Sequence, residues 1–386
     1  MLRRLQSRYT FLKDFNLYNF IVGEKPAKGW IGSLDGLRAI AVILVFFAHG
    51  SRLIDVPENL TIFGFFFKPA MHYFGRCGVY LFFILSSFLL TGQLLREKVD
   101  LKSIHTWTNY TFKRLIRIYP LYIFILFVYL IFPGFRYNFS NFVNHLLLQE
   151  GFGHFWTIRV EFQYYLVLPI VLFLMVFILN RNLMLSSIVF TVFLVLIEGF
   201  NIIYPEDAQG NEIVLPHLPI FLMGSLAALV NMKVSPLLKD ARPRTRVIME
   251  LVSGSLLLAI VFSIPNVVSR NLWSLFSSND FASLPASHWI FTLQAFLWCV
   301  FLVTHLQGTG FLKKALSHPS LRLISTLSFG LYLWHIAVLG YIEAYLPVPG
   351  VIKFIAVFII TLAISATTFV LIERPFSKLK FKTVKK

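Results

Sequence analysis

Residues 78–95 read GVYLFFILSSFLLTGQLL, a run of eighteen residues without a charged side chain. A helix of about 20 apolar residues crosses the hydrocarbon core of a bilayer, so this run predicts a membrane-spanning helix. Similar runs bring the number of predicted transmembrane helices to about ten: 36–53, 118–132, 156–178, 183–200, 215–232, 247–266, 288–306, 323–341 and 351–372. Helices satisfy their own backbone hydrogen bonds in lipid, and no strand-like alternation occurs, so we predict an all-α integral membrane protein.

The composition of the whole chain agrees with this prediction. Of its 386 residues, 57% are hydrophobic and only 14% are charged, and the mean hydropathy is +0.73. Soluble domains average about 25% charged residues. A soluble protein of this length could not bury so much apolar surface in one core.

The distribution of positive charge predicts the orientation. With the N-terminus placed inside, 27 of the 35 lysines and arginines fall on inside segments. Five fall on outside segments, namely Arg52, Lys68, Arg76, Arg136 and Arg270, and three fall within spans, namely Arg38, Arg159 and Lys353. Basic residues favour the cytosolic side, so both termini are expected there. This distribution also accounts for the net charge of +17 without a nucleic-acid partner.

The chain reads as one membrane domain. We expect a cytosolic N-terminal segment over 1–33, a transmembrane domain over 34–374 and a basic cytosolic tail over 375–386. The two cysteines, Cys77 and Cys299, predict neither a disulfide nor a metal site.

The first span carries a cation and an imidazole on one face. Arg38 lies near the inner end, and His49 follows eleven residues later, about 16 Å deeper and only about 20° away around the helix axis. Ionisable groups inside a membrane are costly and usually functional. The alternative is that Arg38 marks a helix start and His49 is an interior histidine with satisfied hydrogen bonds.

Two further spans carry polar groups at helical spacing. Glu161 and Tyr165 are four residues apart in the fourth span, where a carboxylate needs a partner or a water-filled cavity. Ser328, Tyr332 and His335 share one face of the ninth span. For Ser328 and Tyr332, hydrogen bonding between helices is an equally good explanation.

The loop before the third span contains Arg114 and Arg117, which can face the same way. Two arginines at a membrane surface can bind phosphates through paired hydrogen bonds, as in coenzyme A. Ordinary anchoring at the cytosolic surface is the alternative, and it is the preferred one for the neighbouring Lys113.

Together these segments resemble the bacterial acyltransferase-3 membrane O-acyltransferases. The resemblance covers nearly the whole chain and rests on six segments in the family's order: Arg38 with His49 (Arg-x10-His), 78–90, Arg114 to Tyr122 (Arg-x-x-Arg-Ile-x-Pro), Phe155 to Tyr165 (Trp-Ser-Leu-x-x-Glu), Leu327 to His335 (Ser-Tyr-x-x-Tyr-Leu-x-His) and Ile372 to Phe376 (Glu-x-Pro-Phe). The chain departs from the pattern at Tyr80, where the family commonly has Asp, at Ser87, where Gly is usual, and at His217, where Arg is frequent. The change at Tyr80 leaves the usual polar contact of the second helix in doubt.

The resemblance implies an O-acyltransferase of the bacterial inner membrane, without the esterase-like domain that many members carry. The expected donor is a cytosolic acyl-CoA, most simply acetyl-CoA, and no metal is implied. The expected acceptor is a hydroxyl of a cell-surface polysaccharide, such as lipopolysaccharide, or of a lipid-linked glycan. The expected roles are catalysis by His49, Arg38 and Glu161, CoA binding by Arg38, Arg114 and Arg117, and substrate binding by Glu161, Tyr165, Ser328, Tyr332 and His335.

Two chemical routes and one rival function stay open. His49 could act as a general base on the acceptor hydroxyl, because histidine has an ordinary pKa of about 6.5, or it could carry the acyl group itself. A multi-pass transporter of an envelope precursor would also have about ten helices with buried charges. Against the transporter, the sequence has no repeated half and no matched pair of broken helices.

Overall fold

The computed structural model describes residues 17–23, 31–54, 61–62, 65–96, 99–135, 137–151, 153–203, 212–264 and 288–379. Its helices are α1 (Leu17–Val22), α2 (Gly32–Gly50), α3 (Phe67–Leu94), α4 (Ile104–Ile131), α5 (Phe139–Leu146), α6 (Trp156–Phe173), α7 (Leu183–Ile203), α8 (Leu218–Leu237), α9 (Pro243–Ser263), α10 (His288–Gln307), α11 (Phe311–Leu316), α12 (Pro319–Thr326), α13 (Ser328–Tyr345), α14 (Gly350–Thr368) and α15 (Arg374–Ser377). Two short strands, β1 (Thr61–Ile62) and β2 (Phe65–Phe66), pair antiparallel before α3. Much of the predicted segments 1–33 and 375–386, together with Arg136 and Arg270, lies outside the described residues.

Apart from these two short strands, the regular structure of the described residues is helical, which confirms the predicted all-α membrane fold. Eight helical segments are long and apolar enough to cross a membrane, and the bent pair α12–α13 is a ninth candidate. The remaining predicted span, 288–306, corresponds to α10, whose apolar part Phe291–Gln307 is shorter. Every predicted span therefore coincides with helical structure, and the chain is a multi-pass membrane protein.

Helix α3 is the central helix of the bundle. In its most apolar window 72% of the residues are buried, against 17% in α7 and 11% in α9. It packs against α2 on one side and against α8 on the other. The helices α7 and α9 are peripheral, with most of their surface outside the bundle.

Glycines allow the close approach of α3 to its two neighbours. A Cβ atom at Gly78 would lie 2.4 Å from the carbonyl oxygen of Ala41 on α2. A Cβ atom at Gly224 on α8 would lie 2.0 Å from the hydroxyl of Ser87. Small residues at such crossings let helix backbones pack closely where lipid provides no hydrophobic drive for association.

Side chains also repair the break in hydrogen bonding that a proline causes within a span. Pro169 in α6 has no N–H to donate to the carbonyl of Tyr165, four residues earlier. The Tyr110 hydroxyl on α4 donates to that carbonyl at 3.3 Å instead. Five residues after Pro169 the helix widens into a π-helical turn over Leu174–Ile178.

The structure corrects one boundary that matters for the site. The third span begins at Ile104, well before the predicted residue 118. Arg114 and Arg117 therefore lie on α4 and not in a loop, and their spacing of three residues places them on one helix face. The hydrophobicity pattern missed this start because the first turns of α4 are polar.

Candidate active site

A cavity of about 140 Å³ lies among α2, α3, α4, α6 and α13. Seven of the nine predicted site residues line it: Arg38, Arg114, Arg117, Glu161, Tyr165, Ser328 and Tyr332. Five helices that are distant in sequence thus bring these side chains to one place. Apolar side chains complete the wall, namely Val79, Phe82, Phe83, Ile118, Ile158 and Phe329.

The predicted cytosolic end of the cavity is rich in guanidinium groups. Arg38 forms an ion pair with Asp35 one turn earlier, at 3.6 Å, and 35% of its side chain is exposed. Arg38 is also within electrostatic range of Arg114 and Arg117. Repulsion among three cations makes this end of the cavity a favourable place for an anion.

Arg114 has unused hydrogen-bonding capacity at this site. Its guanidinium lies over the ring of Tyr165, 5.9 Å from the centroid. Its Nε atom is buried and has no hydrogen-bond partner among the described residues. A buried N–H without an acceptor is unusual, and a bound anion would satisfy it.

Glu161 is held by two hydroxyl groups in the wall of the same cavity. Ser86 on α3 donates to its Oε1 atom at 2.7 Å, and Tyr165 donates to the same oxygen at 2.6 Å. Hydrogen bonds to a carboxylate are short and strong, so the side chain is fixed in place. Ser86 lies within the quoted motif 78–90 but was not among the predicted site residues.

Hydrogen bonds close the far end of the cavity around Tyr332. The Tyr332 hydroxyl donates to the carbonyl of His154 at 2.5 Å and accepts from Thr157 at 2.8 Å. The ring of His154 donates in turn through Nε2 to the carbonyl of Leu333 at 3.1 Å. These contacts bind the start of α6 to the middle of α13. His154 was not predicted from the sequence, because its partner Leu333 is 179 residues away.

The two remaining predicted residues, His49 and His335, form a pair just beyond Tyr332. His335 Nε2 lies 3.2 Å from His49 Nδ1, and the ring centroids are 5.0 Å apart. The ring of Tyr332 is 5.6 Å from that of His335. Neither histidine lines the cavity itself, so the cavity does not reach the histidine pair in this structure.

The two departures from the family pattern at Tyr80 and His217 contact each other. The Tyr80 hydroxyl lies 3.3 Å from His217 Nδ1, and both side chains are buried. Helix α3 therefore makes a polar contact at the position of Tyr80. Arg159, another charge within a span, forms an ion pair with Glu212 at 2.8 Å in the connection before α8.

The sequence model of the acyltransferase domain family matches residues 31–370. The chain belongs to this family. The match confirms the resemblance seen in the six motifs and includes every predicted site residue from Arg38 to His335.

Three relatives of this acyltransferase chain are bacterial proteins that are distant from it in sequence. It is 24% identical to the peptidoglycan O-acetyltransferase OatA of Listeria monocytogenes, over 91% of this chain and 56% of that protein. It is also 24% identical to the O-acetyltransferase OatA of Staphylococcus aureus strain NCTC 8325, over 92% of this chain and 58% of that protein. A protein of S. aureus strain COL with the provisional designation of O-acetyltransferase matches at 24% identity, over 90% of this chain and 58% of its own. The chain thus spans less than two thirds of each of these relatives, and no solved structure matches it significantly.

Proposed function

We propose that the chain transfers an acyl group, most simply acetyl, from cytosolic acyl-CoA to a hydroxyl of a cell-surface polysaccharide or lipid-linked glycan. The proposal depends on the order of the polar side chains along the cavity. Three arginines line one end of the cavity, and a pair of histidines lies just beyond the other.

The arginine end suits the phosphates of CoA. Arg114 and Arg117 project from one face of α4, and Arg38 faces them from α2. Guanidinium groups form paired hydrogen bonds with phosphate, and the buried Arg114 Nε provides a further donor. The apolar wall between Phe82 and Phe329 suits the less polar pantetheine arm.

The histidine end suits the chemistry of acyl transfer. The acceptor oxygen forms a bond to the acyl carbon, and the bond from that carbon to the CoA sulfur breaks. The proton of the hydroxyl passes to His49 and then to the departing sulfur, which leaves an ester and a free thiol. For the thioester to reach His49, the ring of Tyr332 has to shift from the end of the cavity.

The glycan acceptor is proposed from the relatives. The Listeria relative is named for O-acetylation of peptidoglycan, and the region of this chain that the family model matches, residues 31–370, includes all nine predicted site residues. Glu161, with its carboxylate fixed by Ser86 and Tyr165, is the proposed partner for an acceptor hydroxyl.

The test compares the wild-type protein with His49→Ala. Purified protein with acetyl-CoA and isolated envelope glycan should release free CoA and esterify the glycan, as mass spectrometry would show. Loss of a general base or nucleophile should reduce turnover by about 100-fold or more. His105→Ala, an exposed histidine at the start of α4, is the matched control and should keep wild-type turnover.

Two results would contradict the proposal. One is a wild-type protein that neither binds CoA thioesters nor releases CoA, which would favour the transporter. The other is a His49→Ala variant with near-normal turnover.

A further inference from the structure

The hydrogen position on the His335 ring follows from its neighbour. His335 Nδ1 lies 2.6 Å from the backbone carbonyl oxygen of Tyr332. A carbonyl oxygen only accepts hydrogen bonds, so this contact requires a hydrogen on Nδ1. In the neutral ring, the other nitrogen, Nε2, then carries a lone pair and is an acceptor.

The hydrogen position on His49 follows in the same way. His49 Nδ1 lies 3.2 Å from His335 Nε2 and 3.0 Å from the carbonyl oxygen of Val45. Both neighbours are acceptors, so the hydrogen of a neutral His49 ring belongs on Nδ1. Its lone pair is then on Nε2.

We propose that His335 is a positioning residue that holds His49 in the Nδ1–H form, with Nε2 as the reacting nitrogen. The inference rests on the proposed function and gives His335 a different role from the substrate contact expected from the sequence. It applies to both open routes, because a general base and an acyl carrier each need the lone pair of Nε2. A base oriented by a third group is a recurrent arrangement in nucleophilic catalysis.

The surroundings of His335 hold its ring in place. The side chain is only 1% exposed, and the ring of His154 stands edge-on to it at 5.4 Å. Tyr332, whose carbonyl sets the His335 hydrogen, is itself held through its hydroxyl by His154 and Thr157. The chain of contacts thus runs from the start of α6, through Tyr332 and His335, to His49.

The arrangement also has a role when the proton of the acceptor hydroxyl arrives. His49 then carries hydrogens on both nitrogens and a positive charge. Its Nδ1–H lies within hydrogen-bond distance of the lone pair of His335 Nε2, at 3.2 Å, and of the Val45 carbonyl oxygen, at 3.0 Å. A hydrogen bond from a charged donor is stronger than one from a neutral donor. His335 therefore favours the state of His49 that forms during the reaction.

The first test reads the hydrogen positions directly and needs no substrate. Nitrogen-15 NMR of the full-length protein with labelled histidine distinguishes protonated from unprotonated ring nitrogens, and the His49 signals are those lost in His49→Gln. The expected result at neutral pH is a protonated Nδ1 and an unprotonated Nε2. A His49 ring with its hydrogen mainly on Nε2 would overturn the proposal.

The second test uses three substitutions that differ in one acceptor. His335→Phe removes it, and kcat should fall by about 100-fold or more, with the KM for acetyl-CoA within about threefold of wild type. His335→Gln places an amide oxygen near the position of Nε2 and should recover at least about tenfold of that loss. His335→Asn places its amide near Nδ1, too far from His49, and should not recover activity.

The outcomes separate this inference from the proposed function. Wild-type kcat in His335→Phe, or equal loss in His335→Gln and His335→Phe, would refute the positioning role while leaving acyl transfer intact. A wild-type protein without CoA release would refute the proposed function, and the NMR result would still decide the hydrogen positions.

Discussion

The two ends of the candidate site differ in charge and in access. At the arginine end, Arg117 is exposed and Arg38 keeps about a third of its side chain open. At the histidine end, His335 is buried, and both His335 and His154 hydrogen-bond to backbone carbonyls. An exposed, cationic end suits the capture of a charged donor, and a more buried end suits proton transfer. Under the proposed function, donor binding and chemistry are therefore separated along the length of α2.

The largest effect is expected on the KM for acetyl-CoA when the arginine end alone is altered. In Arg114→Gln combined with Arg117→Gln, the KM for acetyl-CoA should rise by about 100-fold or more, because each hydrogen bond to a charged group contributes about 1.5–3 kcal/mol. The value of kcat should stay within about threefold, since the histidine pair is untouched. Steady-state kinetics with acetyl-CoA and with acetyl-dephospho-CoA would measure both effects.

Lys113→Gln is the matched control for this double variant. It removes a positive charge from the same helix at an exposed position outside the cavity. An equal rise in KM for Lys113→Gln would show that the arginines act only through general surface charge.

A smaller effect, on the unfolding free energy, is expected from substitution of Glu161, which lies between the two ends. Glu161→Ala leaves the hydroxyls of Ser86 and Tyr165 without their acceptor, at a cost of about 1–3 kcal/mol in unfolding free energy. Glu161→Gln keeps an acceptor oxygen and should cost less. Thermal unfolding in detergent would measure the difference, and equal losses would contradict a role for these two hydrogen bonds.

The smallest effect should come from the pair outside the cavity. Tyr80→Phe removes one hydrogen bond to His217 and should lower the unfolding free energy by about 0.5–1.5 kcal/mol without changing turnover.

The double variant Tyr80→Asp with His217→Arg restores the residues common in the family. If the two positions are coupled, it should be more stable than the sum of the single variants predicts, and additive losses would exclude coupling.

The spans were the most predictable part of the molecule. A run such as 78–95 has no charge over its whole length, and in lipid this pattern leaves the helix as the only open structure. The start of α4 could not be predicted in this way, because residues from Ile104 to Arg117 mix polar and apolar side chains. Contacts in the fold, not hydrophobicity, extend that helix.

The site was predictable where its residues share a helix. Helical spacing grouped Ser328 with Tyr332, and both line the cavity. The pairing of His49 with His335, the bond from Tyr332 to His154, and the contact of Tyr80 with His217 each join distant segments. A single sequence does not reveal such contacts, because they depend on how the helices pack.

Helices α12 and α13 meet at a bend of 67°. It makes α13 start inside the bundle, so its first two residues, Ser328 and Phe329, lie in the cavity wall. The first peptide N–H groups of a helix have no acceptor within that helix, and its start carries about half a positive elementary charge. The bend therefore adds main-chain dipoles to the arginine end of the cavity, and no side-chain substitution can remove them while the bend persists.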